Sequence, residues 1–286
     1  NDILKFNWYI GKALIENEKI ILSGKDVEFL LQRHRSIDYP AFVYDTFKDI
    51  YFTDEENHWI DTVVTNISHM DDMYKKSLAY FALIQSCIIK RPYNLFHRKN
   101  LYIRLSDVER NFGNKATWDT PFETHFLQFV TEANQAVFGN GQKNLATNAD
   151  VFTLTESYDL VYIDTPYISR KGVGVDYLGF YHFLEGLVNY NAWGDMIDYR
   201  TKHKRLKGED SVWNNKNKIT SAFDCLFKKF RKSILVISYR ADGIPSIDEL
   251  IILLKKYKSK VVEIKRKNYK YVLSTNNSEE VLLIGQ

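Results

Sequence analysis

The sequence predicts an α/β protein whose sheet is preceded by a mostly helical region. Two observations carry this. From residue 145 onward, short apolar, β-branched runs alternate with helical runs, the pattern of a sheet covered on both faces. Residues 16–140 have another texture, charged helical periodicity joined by short irregular links.

Taken in order, Leu4, Trp8, Ile10, Leu14 and Ile15 predict an opening helix directly after Asn1-Asp2-Ile3. Residues 25–35 and 54–67 read as charged helices. Residues 73–90 form a longer, mostly apolar one, which Arg91-Pro92 ends because proline cannot continue the hydrogen-bond ladder. Residues 91–121 are loop-rich with short strands, Asn100 to Leu105 among them. Helix returns over 122–138, and Gly139-Asn140-Gly141 is a turn. Leu145 to Leu154 reads as a strand and its exit, and Asp159 to Ile163 as the next strand. Gly172, Gly174 and Gly179 mark 168–180 as a mobile loop. Residues 180–190 and 216–232 are helical, Ser233 to Tyr239 is a strand, and 246–257 a helix. Residues 260–266 with 269–273 form an antiparallel pair, and Val281 to Ile284 is the last strand. Neither a repeat nor a low-complexity tract interrupts the chain.

At 286 residues and 45% hydrophobic, the chain suits one large domain, or one domain with an insert. The 19 Tyr and 18 Phe allow a dense core. A net charge of +3 is compatible with nucleic-acid binding without arguing for it. Cys87 and Cys225 are too few and too far apart for a disulfide framework or a zinc site, and both read as buried thiols. With no apolar run of about 18 residues and no signal peptide, the expectation is a cytoplasmic protein with no membrane span.

The most informative segment is Val161-Tyr162-Ile163-Asp164-Thr165-Pro166-Tyr167. Its first three residues read as a buried strand, which Asp164 ends and Pro166 keeps from pairing further. A strand that delivers a carboxylate, a stiff turn and an aromatic ring to one place can hold a flat, hydrogen-bonding ring. That ring stacks on Tyr167 and points an exocyclic amine at Asp164 and a turn carbonyl. By composition alone the same four residues also suit an ordinary strand-to-loop turn.

Asp164-Thr165-Pro166-Tyr167 resembles the Asp-Pro-Pro-Tyr motif of DNA adenine N6-methyltransferases. Other ordered segments resemble the Dam-like class of these enzymes. They are Arg91-Pro92-Tyr93-Asn94 through Trp118-Asp119-Thr120-Pro121-Phe122, Ile237-Ser238-Tyr239-Arg240, Asp242-Gly243-Ile244, and the helical stretch Ile247 to Lys256. The resemblance implies a Rossmann-like methyltransferase sheet ending in an antiparallel hairpin, a catalytic domain over 1–15 and 141–286, and a target-recognition region over 16–140. It implies methyl transfer from S-adenosylmethionine to an adenine flipped out of duplex DNA, in a restriction-modification system. Asp164 and the Thr165 carbonyl would accept the amine hydrogens, Pro166 would stiffen the turn, and Tyr167 would stack on the base. Asp150 would accept from the cofactor's adenine amine, Val151 would pack on that ring, and Asp2 would grip the ribose. An isolated Asp such as Asp150 equally suits a turn cap.

The chain departs from the family pattern in two places. Thr165 replaces a proline, and no Phe-x-Gly-x-Gly loop precedes a first strand. The expectation is that an N-terminal segment or a second chain carries that loop. The alternative reading is a non-catalytic DNA-recognition subunit that needs such a partner. For DNA, Arg200, Lys202, Lys204 and Arg205 lie in the densest basic run. Arg91, Arg98 and Lys99 form a second cluster with His97 and Arg104, among Tyr93 and Phe96. Both clusters also suit solvated surface loops, as do Lys265, Arg266, Lys267 and Lys270 beside the terminal hairpin.

Overall fold

Side-chain caps set where the helices begin. The computed structural model describes residues 1–107, 115–208, 211–269 and 278–286. It divides into two compact units, Asn1–Ala149 with Leu178–Lys207, and Asp150–Tyr177 with Gly208–Gln286. In the first unit, α1 (Lys5–Gly11) runs on into a wider turn, Lys12–Glu16. Ser23 and Asp26 form a reciprocal capping box that opens α2 (Gly24–Leu31), and Thr53 and Glu56 do the same for α3 (Asp54–Ser68). Asp72 accepts from the backbone of Tyr74 and Lys75 at the start of α4 (Met73–Ile89). Pro121 precedes α5 (Phe122–Ala136), which packs against α4. Leu78, Ala82, Phe126, Val130 and Ala133 enter one core with Phe47, Tyr51, Phe96 and Trp193.

Later in the chain, α6 (Tyr177–Leu187) brings Phe183 and Gly186 under the Trp193 ring. A Cβ on Gly186 would lie 1.8 Å from Trp193, whose side chain is fully buried. Gly186→Ala is therefore expected to lower stability by about 1–3 kcal/mol through overpacking, measured by urea unfolding.

Two segments of this unit correct the sequence reading. Asn100–Leu105 is not a strand; Leu101–Leu105 is a helical turn. The Asn100 and Leu101 amides both donate to Ile50 O, and Arg104 turns inward to Glu56, so tertiary anchors override local β propensity. Leu145–Leu154 is not a strand either. Its backbone is satisfied by side chains instead: Glu16 accepts from the Ala146 amide and the Trp8 indole donates to Ala146 O. Beyond it, Val151–Thr153 forms a single 3-10 turn.

In the second unit, β1 (Leu160–Ile163) pairs in parallel with β3 (Ile234–Arg240). On the other side of β3 lies β6 (Ser278–Gly285), antiparallel, followed by β5 (Val261–Tyr269), to give the order β1-β3-β6-β5. The reversed hairpin is thus present, but its arms are 261–269 and 278–285. Of the expected arm 269–273, everything after Tyr269, Lys270 included, lies outside the described residues. A small second sheet pairs β2 (Ile168–Ser169) with β4 (Gly243–Ile244). The expected loop after Tyr167 closes as a hydrogen-bonded turn, with Gly172 at φ +78° and the Val175 amide donating to Tyr167 O.

Helices α7 (Ile219–Lys229) and α8 (Ile247–Lys255) bury Phe223, Phe227, Leu250 and Leu254 in one core with Ile163, Leu235, Ile237, Tyr239, Val281 and Leu283. Cys87 is buried as expected, but Cys225 is exposed. It falls between the buried positions Ala222, Phe223, Leu226 and Phe227 of α7. The alternate residues of the sheet point the other way. Leu160 is 53% and Tyr162 57% exposed, so β1 is a sheet edge and only Ile163 of the expected buried run is buried.

Candidate active site

The site is built where β1 ends. Ile163 pairs with Ile237, so the chain leaves the sheet as Asp164 comes level with Ser238. Strand alternation sends Asp164, Ser238 and Arg240 to the side opposite the helices. The Asp164 side chain is exposed, and its carboxylate makes no hydrogen bond among the described residues. Partial burial, and then the nearby charge of Glu280, push its carboxyl above the usual carboxylate range. Glu280 itself is held by Ser238, whose hydroxyl donates to Glu280 Oε1 at 2.6 Å.

Thr165 and Pro166 are half-buried, and the Thr165 hydroxyl is buried without a hydrogen-bond partner among the described residues. Tyr167 is held from two sides. The Arg240 guanidinium lies 5.2 Å from its ring centre, and the Tyr239 ring meets it edge-on at 6.5 Å. Arg240 in turn donates to both Asp242 oxygens at 2.8 Å, and the Tyr239 hydroxyl donates to Ile244 O at 2.6 Å. The motif therefore presents an exposed carboxylate, an orphaned hydroxyl and a clamped, half-buried phenol ring at the carboxyl end of a parallel strand pair.

The remaining expected positions fare differently. The Asp150 carboxylate accepts from the Phe152 amide at 2.9 Å and so caps its own turn, and Val151 packs at the rim of the sheet–helix core. Asp2 does not end a strand. Its two oxygens accept from the Leu4 amide at 2.8 Å and from Asn7 at 2.9 Å, which starts α1. Its own amide donates to Thr147 O at 3.1 Å, and Asn1 donates to Ala149 O, tying the first residues to the segment that leads into Asp150.

Arg91 is a correction. It is 1% exposed, lies over the Tyr51 ring at 4.3 Å, and donates to Leu95 O, Tyr51 O and Asn100. Arg104 is buried against Glu56 with Lys90. Neither side chain is available to a phosphate; both hold up the loop that follows α4. On that loop Arg98 and Lys99 are exposed, beside Tyr93 and Asn94 at φ 64° and 58°.

The other basic run, Asp198 to Leu206, is a closed loop. The Asp198 amide donates to Arg205 O, and Ile197 bridges to Leu206. Lys202 and Arg205 are exposed, Lys204 lies 5.1 Å from the Tyr199 ring, and the exposed Arg200 guanidinium donates to both Asp198 oxygens. The two runs, a hundred residues apart in sequence, share one buried anchor. Tyr51 Oη lies 2.6 Å from Phe96 O and 3.1 Å from His203 O, with His182 Nε2 at 2.7 Å. Burial holds the His182 imidazole down to about 3 and the His97 imidazole down to about 4, so neither adds charge near neutral pH.

The expected site residues omit Ser238 as a partner and Glu280 altogether. Glu280 gives a faint signal, an acidic residue just ahead of the apolar run Val281–Ile284. Only the register of β6 on β3 brings it to the motif.

A sheet edge carrying an Asp-Thr-Pro-Tyr turn, with a reversed hairpin closing the other side, marks the chain as a methyltransferase-type α/β protein. Comparison with known proteins agrees. The chain is 28% identical to the type II methyltransferase M2.HphI of Haemophilus parahaemolyticus, over 98% of this chain and 80% of that one. It is 25% identical to the modification methylase StsI of Streptococcus sanguinis and 24% identical to the modification methylase LlaI of Lactococcus lactis subsp. lactis, covering 42% and 44% of their lengths. The chain spans less than half of those two relatives. It is a homologue of these type II methyltransferases, as the resemblance of its motifs implies. No protein-family model and no solved structure matches it.

Proposed function

We propose that this chain methylates the N6 amine of an adenine extruded from duplex DNA, with S-adenosylmethionine as donor, in a restriction-modification system. The observation that carries this reading is the exposed, unbonded carboxylate of Asp164 beside the Thr165 carbonyl and the Tyr167 ring. Its place at the carboxyl end of a parallel strand pair is where open α/β sheets bind ligands. The relatives' names support the reaction class.

The amine of adenine is a poor nucleophile because its lone pair is spread into the ring. Asp164 accepts one amine hydrogen and the Thr165 carbonyl the other, which draws the nitrogen toward tetrahedral geometry. Tyr167 stacks on the base, an interaction worth about 1–3 kcal/mol that offsets part of the few kcal/mol spent on extruding it. Arg240 and Tyr239 keep the ring from turning. Once the nitrogen carries positive charge, Asp164 takes the proton it sheds, and a carboxyl held above its ordinary range suits that task. S-adenosylmethionine supplies a methyl group activated by a sulfonium. The orphaned Thr165 hydroxyl and the solvent-facing Asp164 fit a bound polar ligand at this turn. Asp150 and Val151 would hold the donor's adenine, whereas Asp2 is already engaged by its own helix start. Methyl incorporation into duplex DNA from labelled donor tests the proposal. Incorporation absent from wild type, or unchanged in Tyr167→Ala, would overturn it.

The recognition role proposed for residues 16–140 extends to the loop 198–206, which shares the Tyr51 anchor. Replacing Lys202, Lys204 and Arg205 together by Gln is expected to weaken DNA binding and to flatten its salt dependence. The slope of log K against log salt falls by about 0.9 for each phosphate that is no longer neutralised. Binding titrations at several salt concentrations check this; an unchanged slope would exclude the loop.

A further inference from the structure

Beyond the motif, three strand ends converge on Asp164 from the face of the sheet that α7 and α8 leave open. Ser238 follows Ile237, the β3 partner of Ile163, and so stands beside Asp164. Arg240 is the next β3 residue on that face, and its β6 partner is Glu280. The Ser238 hydroxyl reaches diagonally to Glu280 and binds its Oε1 at 2.6 Å, which turns the carboxylate toward the β3–β1 side. A glutamate at the start of a terminal strand is ordinarily a solvated residue of no consequence. Here a neighbouring strand's side chain fixes its rotamer next to the acceptor that the proposed chemistry uses.

We propose that Glu280 is a positioning residue for the methyl-transfer site: clamped by Ser238, its negative charge keeps Asp164 a strong hydrogen-bond and proton acceptor. This rests on the reading of Asp164 given under Proposed function. The physics is that of two carboxylates near one another, where ionising one disfavours ionising the other, so the second holds its proton more firmly when offered one. An acceptor of this kind binds the amine hydrogens better and takes the proton of the methylated nitrogen more readily. The charged groups around the pair are few. From β3 comes Arg240, whose guanidinium is committed to Asp242 and lies over Tyr167. From β6 comes Glu280 itself, and the β5 residue across from it in the register is Lys267. Glu280 is the neighbour whose charge acts on the Asp164 carboxyl, in the same direction as burial.

The test separates this inference from the reading beneath it. The Asp164 carboxyl is titrated by carbon-13 NMR in the wild type, Glu280→Gln, Glu280→Asp and Ser238→Ala. Gln keeps the bond to Ser238 while removing the charge. The expected result is a midpoint that moves to lower pH in Glu280→Gln, moves part of the way in Ser238→Ala, and stays near wild type in Glu280→Asp. In parallel, the acid limb of the kcat profile moves to lower pH in Glu280→Gln and the plateau drops severalfold, with KM for DNA unchanged. A midpoint that does not move in folded Glu280→Gln overturns the inference, even if the wild type methylates DNA. A midpoint that moves in a protein without methyl-transfer activity leaves the Ser238–Glu280–Asp164 coupling standing and overturns the function instead.

Discussion

Asp164→Asn is expected to lower the methyl-transfer rate about 10²–10³-fold, roughly 2.7–4 kcal/mol of transition-state stabilisation, while leaving DNA affinity and fold intact. Asn keeps the shape and one acceptor oxygen but cannot balance positive charge or take a proton. The loss should therefore appear in kcat rather than in KM. The same substitution should not destabilise the protein. Burial and Glu280 raise the Asp164 carboxyl in the folded state, so folding prefers its protonated form. The folded state is favoured by that preference at acid pH, and the advantage is lost as pH rises from the unfolded pKa through the higher folded one. At neutral pH the ionised Asp164 is a burden on stability, and Asn relieves it. Single-turnover kinetics and thermal melting at pH 7 check the two halves. A melting temperature clearly below wild type, or a rate within threefold of it, would show that Asp164 serves structure and not chemistry.

Arg91→Ala is expected to cost about 3 kcal/mol or more, a large part of the roughly 5–15 kcal/mol by which domains of this kind are stable. Arg91 is buried, and its guanidinium donates to Tyr51 O, Leu95 O and the Asn100 side chain while it covers the Tyr51 ring. Removing it orphans acceptors that each cost about 1–3 kcal/mol when left unpaired, and opens a cavity beneath the 92–100 loop. Arg91→Lys distinguishes staple from DNA contact. Lysine keeps the charge but not the planar fork, so a phosphate contact would survive the change and the staple would not. Urea unfolding of Arg91→Lys should show most of the loss; wild-type stability combined with weakened DNA binding would reverse the assignment.

The difference between Arg91 and Asp164 shows which parts of the site are legible along the chain. Asp164, Thr165 and Tyr167 lie within four residues of one strand end, so their convergence follows from local backbone geometry. The Arg91 cluster reads as basic surface because charge runs usually face water, and nothing local says that three acceptors await it inside. Residues 145–154 mislead for the opposite reason. Their composition allows a strand, but a strand exists only where a neighbour pairs with it, and here Glu16 and Trp8 supply the partners instead. The helices over 54–68 and 73–89 are legible because their caps, Thr53 with Glu56 and Asp72, are written at the segments they start.

By itself, then, the sequence determined the helices, the two central strands and the reactive turn, since each depends on interactions spanning a few neighbouring residues. The tertiary structure alone decided what meets that turn and what meets those loops. The register of β6 on β3 sends Glu280 to Ser238, and the Tyr51 hydroxyl gathers Phe96 and His203 from distant segments. Such pairings are selected by which partner satisfies a buried or charged group in three dimensions, and no local pattern along a chain encodes that choice.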